Sequence, residues 1–367
     1  MHWYEIDSID KIDSPSLIVY ASRAEENMDK LITMVGGNVN QLRPHVKTNK
    51  IAEVCQMMMD KGILNFKCAT IAEAEMLGIL KAHNVLIAHQ LMGPKLNRLA
   101  TLIKKFPATK FSCLVDNIET ATSVSKIMVQ EGLSIDAYID VNIGMNRSGI
   151  MTDKATTLYN ACTTLPAISI IGLHCYDGHI RETDIGIRNA QADAVFENAD
   201  ALRKKLETIS SSTLEVIMAG SCSFSGHIKR KDIQVSPGTF VFWDWGYKNL
   251  FPDLPFEFAC LVITRIISII DEHTVCTDLG HKAVAAENPM PRVHFLNAPN
   301  AAPIGQSEEH LVVKVQDASK YKVGDVWYGV PVHICPTVAL YDTALIVNNN
   351  KVVDEWEVVA RKRKITI

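Results

Sequence analysis

The sequence carries no excess of either charge: 37 Lys and Arg stand against 41 Asp and Glu, for a formal net charge of −4. That balance gives no electrostatic footprint for nucleic acid or an anionic membrane, so a small molecule is the expected partner. Long hydrophobic runs are missing too. No stretch approaches the ~20 apolar residues that span a bilayer, and no charged-then-apolar leader opens the chain, so a cytoplasmic location is expected. Internal repeats and low-complexity segments are absent as well. The nine cysteines form no disulfide framework: they are odd in number, scattered, and mostly set in apolar runs such as "NFKCAT" (Cys68), "KFSCLV" (Cys113) and "FACLV" (Cys260). They read as reduced core thiols.

What is present is a regular alternation. A chain of 367 residues holds one large core and a smaller second domain. Between about residues 41 and 240, eight short apolar runs recur: "QLRPHV", "ILNFKCA", "NVLIAH", "FSCLV", "AYIDVN", "SIIGLHCY", "EVIMAG" and "DIQVS". Segments such as "KIAEVCQMMMDKG" and "TIAEAEMLGILKAH" between them have apolar residues at helical spacing. The pattern points to an α/β fold, a parallel (β/α)8 TIM barrel, with a doubly wound sheet left open. After about residue 250 the runs are strands joined by Gly, Asn, Pro and Asp turns, the signature of an antiparallel β domain. The strand-like opening "MHWYEID" is assigned to it. The expected division is a barrel over 13–247 and a β domain over 1–12 and 248–367.

Barrel chemistry sits at the C-terminal ends of the strands, and Lys47 falls one residue past the first of them. Positive charge from Arg43 and His45, with burial, would disfavour its ammonium and leave the free amine that Schiff-base chemistry requires. The plain alternative is that Lys47 and Lys50 are solvated at a turn. Other strand ends supply Arg147 in "DVNIGMNRSG", His174, Tyr176 and His179 in "GLHCYDGH", and Gly220, Ser221, Ser223, Ser225 and Gly226 in "AGSCSFSG". With Gly238 and Thr239 in "SPGTFVFWD", these small residues leave N–H groups free for a phosphate, although singly such loops are ordinary turns. Farther on, "VHICPT" sets His333 and Cys335 two residues apart. In an extended segment they point the same way and can share a metal, and imidazole with thiolate favours Zn2+. A lone pair of this kind is weak on its own. His45 and His310 stand as supporting or substrate-contacting groups, and Asp278 as a turn residue behind the site. Trp243 and Trp245 are assigned to packing at the domain junction, and the "RKRK" near the end to a solvated charge run.

Taken in order, "RPHVKTNK", "DVNIGMNRSG", "HCYDGH", "SPGTFVFWD", "TDLGHKAV", "SEEH" and "HICPTVALYD" run from residue 43 to 342. They resemble the pyridoxal-phosphate enzymes of the alanine racemase type (fold type III), and more closely their D-threonine aldolase and D-serine dehydratase branch. "RPHVKT" and "HICPTVALYD" are the specific matches. The resemblance implies pyridoxal 5'-phosphate held by Lys47, not Lys50, with Tyr176 against the ring and Arg147 near its phenolic edge. Ser221, Gly238 and Thr239 would hold the phosphate, with Ser223 nearby. His333 and Cys335 would hold a divalent metal, Zn2+ before Mn2+.

The implied substrate is a D-3-hydroxy-α-amino acid and the implied assembly a homodimer. Two outcomes follow. If Lys47 takes the α-proton and the metal draws off the hydroxyl, the products are a keto acid and ammonia. If a base such as His179 takes the hydroxyl proton, a retro-aldol cleavage gives glycine and an aldehyde. The His-x-Cys pair resembles the dehydratase members, so the reading leans to dehydration. An amino-acid racemase and a non-catalytic pyridoxal-phosphate carrier are the remaining alternatives. The first has no use for a metal pair, and the second lacks a β domain.

Overall fold

Runs rich in Val, Ile, Leu and Phe form seven parallel strands in sequence order: Asn65–Cys68, Asn84–Ile87, Lys110–Val115, Ile135–Asn142, Ile168–Cys175, Glu215–Met218 and Gln234–Val235. The structure is a computed structural model and describes residues 2–367. Residues 42–46 close the ring of strands. Arg43 N donates to Val235 O (2.9 Å), His45 N to Pro237 O (3.1 Å), and Val46 N to Lys67 O (2.9 Å). Only isolated parallel bridges form here, Leu42 to Val235 and His45 to Lys67. Pro44 has no N–H to give, which interrupts a ladder at this point. The (β/α)8 order is therefore present, with "QLRPHV" as bridging backbone in place of a regular strand.

Local sequence explains the helices around the ring. Thr70 accepts from Glu73 N (3.1 Å) and the Glu73 carboxylate accepts from Ala69 N (2.6 Å), a variant of the capping box that starts the helix Ile71–Ile79. Asn117 caps Ile118–Glu131 in the same way, and Gly132 ends it at φ 66°. Inside the ring Leu86, Leu114, Tyr138 and Ile217 pack together with almost no exposure. Gly172 allows this, because a Cβ there would meet the Tyr138 ring and the Glu215 backbone.

Contacts divide the chain into two units, and the boundaries differ from those expected at residues 13 and 247. The barrel unit holds 32–47, 54–238 and 362–367; the other holds the residues through Leu31, 48–53 and 239–361. The second unit is built on a nine-stranded sheet. Its strand Ser16–Tyr20 pairs antiparallel with Cys260–Asp271 and parallel with Thr343–Asn348, which takes it out of the barrel. "MHWYEID" belongs to this unit as expected, but residues 2–7 form turns and no strand. Tyr4 and Ile6 are nevertheless buried, packed with Ile18, Tyr20, Leu261 and Tyr328. The final residues return to the barrel because the N–H groups of Thr366 and Ile367 bind the Glu75 carboxylate (3.1 and 3.2 Å) and Arg98 binds Ile367 O (2.8 Å). All nine cysteines are free, and all but Cys335 are buried. Among the described residues no helix is long and apolar enough to cross a membrane.

Candidate active site

Lys47 follows the bridging segment at the barrel mouth and is exposed. Its N–H donates to His45 Nδ1 (3.3 Å), so His45 shapes the turn that presents it. Arg43, expected to act on the Lys47 amine, is fully buried, with its guanidinium committed to Gln234 Oε1 (2.5 Å) and Asn84 Oδ1 (2.8 Å). Lys50 lies in the other unit at φ 56°, where its carbonyl accepts from Ala360 N (3.1 Å). The two lysines of "KTNK" thus belong to different surroundings.

Tyr176 follows the strand Ile168–Cys175, and its ring lies over Gly178 and Gly220; a Cβ on Gly220 would be 2.8 Å from that ring. The Arg147 guanidinium is 4.8 Å and the Lys67 amine 5.7 Å from the ring centroid, both within cation–π range. Burial pushes the Tyr176 hydroxyl up to about 12, so it stays a donor at neutral pH. His179 is exposed, and the loop that carries Arg147 rests on it: Gly144, at φ 127°, approaches so closely that a Cβ would be 2.6 Å from Nε2.

The serine loops form one braced structure. Ser221 Oγ accepts from Gly238 N (3.1 Å), tying the loop after Glu215–Met218 to the loop after Gln234–Val235. Ser223 is fully buried and donates to Asp177 Oδ1 (2.5 Å), while His227 Nε2 holds Asp177 Oδ2 (2.8 Å). Its hydroxyl is a brace for the loop. Ser225 and Ser236, in these same two loops, have buried hydroxyls with no partner among the described residues. Buried hydroxyls without partners are costly, so the loops suit an anion such as the phosphate of pyridoxal phosphate. Thr239 belongs to the other unit, and its hydroxyl lies 3.6 Å from Cys335 Sγ.

Two residues that the sequence reading did not single out, Lys67 and Asp140, meet His174, which it did. Lys67 is buried and its amine lies 3.4 Å from His174 Nε2; His174 Nδ1 donates to Asp140 Oδ1 (2.8 Å). Asp140 also accepts from Gln90 (2.7 Å) and Ser148 (2.9 Å). Burial and the charge of Lys67 lower His174, which is therefore neutral with its proton on Nδ1. The signal for Lys67 was its place between Phe66 and Cys68 in an apolar strand, where one charge alternates inward.

In the second unit His333 is the N-cap of the short helix Ile334–Val338, and Cys335 lies in its first turn. The pair is therefore not extended, contrary to the spacing argument. It still converges. Burial opposes charge on His333, yet a hydrogen bond with Cys335 and the Glu287 carboxylate raise it to about 9. Its Nδ1 donates to Glu287 Oε1 (2.5 Å), leaving Nε2 as the nitrogen for a metal, the usual carboxylate–histidine arrangement. Thr48 Oγ1 lies 3.1 Å from Cys335 Sγ, and Asp244 Oδ2 accepts from Ile334 N (3.2 Å). Imidazole, thiol and a supporting carboxylate fit Zn2+. Among the described residues no group of three His, Cys, Asp or Glu is gathered to hold a metal, so this would be a two-ligand site.

Comparison with known proteins matches both parts of the chain. Residues 259–347 match the family described as "Putative serine dehydratase domain", and 19–244 the "Alanine racemase, N-terminal domain". A D-threonine aldolase of Arthrobacter sp. is 27% identical over 97% of this chain and 94% of its own. A D-threo-3-hydroxyaspartate dehydratase of Delftia sp. (strain HT23) is 20% identical over 96% of this chain and 98% of its own. The crystal structure of a D-threonine aldolase from Filomicrobium marinum superposes with a TM-score of 0.88 at 27% identity, covering 97% of this chain and 98% of that one. With more than half of its length matched by the barrel profile, the chain belongs to the alanine racemase N-terminal domain family.

Proposed function

We propose that the protein is a pyridoxal-phosphate- and metal-dependent lyase acting on D-3-hydroxy-α-amino acids, and that dehydration to a keto acid and ammonia is its reaction. One observation carries the reading: the same chain holds a lysine just past the segment that closes the barrel, unpartnered serine hydroxyls in the loops after its last strands, and a His–Cys pair with a carboxylate hydrogen-bonded to the histidine. When bound, pyridoxal phosphate withdraws electrons from the α-carbon and a divalent metal polarises the 3-hydroxyl.

The remaining roles belong to the chain. Lys47 holds the cofactor and then moves the α-proton. Ser221, Gly238 and Thr239 hold the phosphate, with Ser223 bracing its loop through Asp177. Arg147 and the protonated Tyr176, stacked on each other at 4.8 Å, would lie against the cofactor ring. Glu287 keeps the His333 proton on Nδ1, so that His333 and Cys335 would hold a divalent metal and supply it for polarising the 3-hydroxyl. A homodimer in the cytoplasm accompanies this reading, and light scattering of the purified protein tests the dimer.

Retro-aldol cleavage is the second reading, with His179 as the base for the hydroxyl proton. It is favoured by the higher identity to the aldolase, 27% against 20% for the dehydratase. Dehydration is favoured by the cysteine of the His-x-Cys pair. Incubating the protein with pyridoxal phosphate, Zn2+ and D-serine or D-threonine separates the two. Keto acid and ammonia are expected; glycine and an aldehyde alone would replace dehydration by retro-aldol cleavage.

A further inference from the structure

A buried hydroxyl needs a partner, and two buried threonines turn theirs to one sulfur. Thr48 Oγ1 lies 3.1 Å and Thr239 Oγ1 3.6 Å from Cys335 Sγ, both within hydrogen-bond reach of an atom larger than oxygen. The three residues belong to one unit but come from distant stretches of chain: Thr48 and Thr239 stand 287 and 96 residues before Cys335. Thr48 lies in the turn after the barrel-closing segment, and Thr239 opens the short 3-10 helix Thr239–Val241. The backbone around the sulfur is held as well. Ile334 N donates to Asp244 Oδ2 (3.2 Å) and Thr337 Oγ1 to His333 O (2.9 Å), so the turn that carries the His–Cys pair has little freedom. Of the nine cysteines only Cys335 is not buried, which leaves its sulfur within reach of a dissolved ion. A neutral thiol is a poor acceptor, whereas hydrogen bonds to a charged acceptor are roughly twice as strong as neutral ones. Two hydroxyls converging on one sulfur therefore suit Cys335 in the form in which it binds a metal.

We propose that Thr48 and Thr239 are positioning residues for the metal pair: their hydroxyls donate to the Cys335 sulfur, fix its direction and share the charge it carries when metal is bound. The pair is then supported on both sides. Glu287 orients the His333 imidazole, and the two threonines orient the sulfur. Hydrogen-bond partners of ligating atoms matter to metal affinity nearly as much as the ligands themselves. The assignment also divides the work of Thr239, whose hydroxyl serves the sulfur, so that a phosphate would meet its backbone N–H. The inference rests on the reading of His333 and Cys335 as the metal pair and says what holds one of the two ligands.

The test reads bound metal and needs no turnover. The full-length protein, stripped of metal, is titrated with Zn2+ against a chromophoric chelator, and separately with Co2+, whose sulfur-to-metal charge-transfer band reports how tightly a bound thiolate holds its electrons. Thr48→Val keeps the shape and removes the hydroxyl; Thr48→Ser keeps the hydroxyl. Thr239→Val is the second, independent variant. Thr48→Val is expected to weaken Zn2+ binding by about 10- to 100-fold and to move the Co2+ band to longer wavelength, because a sulfur that has lost a donor gives up its electrons more easily. Thr239→Val, whose hydroxyl stands farther from the sulfur, should move the band in the same direction by less, and Thr48→Ser should keep both wild-type values. A merely structural role would change the melting temperature and leave the band where it is. A wild-type band position in both valine variants therefore overturns the proposal. If wild-type protein shows no such band with Co2+, Cys335 is not a metal ligand, and the metal reading fails together with this inference. Thermal melting of each variant confirms that the protein measured is folded.

Discussion

Lys47 and Lys50 are chemically alike, and what separates them is what each is attached to. Lys47 ends the backbone that closes the barrel, whereas Lys50 turns away at positive φ and anchors Ala360. Lys47→Ala should therefore abolish both the visible absorbance of lysine-bound pyridoxal phosphate and lyase activity, while Lys50→Ala keeps the absorbance; spectra of the two purified variants check this. At the proposed metal pair, Glu287→Gln keeps the shape but weakens the acceptor on His333 Nδ1. A loss of about 10- to 100-fold in Zn2+ affinity is expected, measured by competition with a chromophoric chelator. Buried Lys67 has a consequence for stability. Its proton affinity is lowered to about 7, while an unfolded lysine keeps its proton up to about 10.5. The unfolded chain thus binds an extra proton between those values, so this residue adds stability as pH rises from about 7 and withdraws it as pH falls back. Lys67→Met should flatten that part of the profile and stabilise the protein at pH 7 by a few kcal/mol, read from urea unfolding. A variant less stable at pH 7 would contradict it.

At the scale of the element, the readable signals were those whose physics is local. The helix Ile71–Ile79 announces itself by its apolar spacing and by Thr70 and Glu73, and Thr70→Ala should cost about 1 kcal/mol in urea unfolding through loss of that cap. The hairpin of Thr343–Asn348 and Lys351–Glu357 is signalled by "NNN", and Asn349 and Asn350 do take positive φ (48° and 61°), as a tight two-residue hairpin turn requires. Signals that depend on distant partners were not readable. "QLRPHV" looks like a strand, but Pro44 reduces it to bridges. "MHWYEID" looks like one too, because Tyr4 and Ile6 alternate with polar residues, yet their burial comes from a sheet contributed by residues beyond 260. The His-x-Cys spacing was read as an extended segment, whereas the pair lies at a helix start. Glu287, which gives the histidine its orientation, is 46 residues away from it in sequence, and no motif joins the two.

At the scale of the whole molecule, the alternation of strand and helix was enough to give the barrel, while the division of the chain was not. The chain passes from one unit to the other between Lys47 and Thr48 and between Gly238 and Thr239, inside the motifs "RPHVKTNK" and "SPGTFVFWD". A linear reading places boundaries where composition changes, and composition does not change there. The first of those crossings joins Lys47, the proposed cofactor lysine, in sequence to Thr48, whose hydroxyl meets the Cys335 thiol. Removal of metal with a chelator should therefore abolish lyase activity while leaving the pyridoxal-phosphate absorbance in place, and added Zn2+ should restore turnover. Activity indifferent to the chelator would remove the main support for a lyase over a racemase.

The most direct test of the central claim is the fate of D-threonine in the presence of protein, pyridoxal phosphate and Zn2+, followed by chiral chromatography with assays for keto acid, ammonia and glycine. A lyase consumes D-threonine, leaves L-threonine untouched and releases keto acid with an equal amount of ammonia. Interconversion of D-threonine with its α-epimer, with total amino acid conserved, would contradict the account.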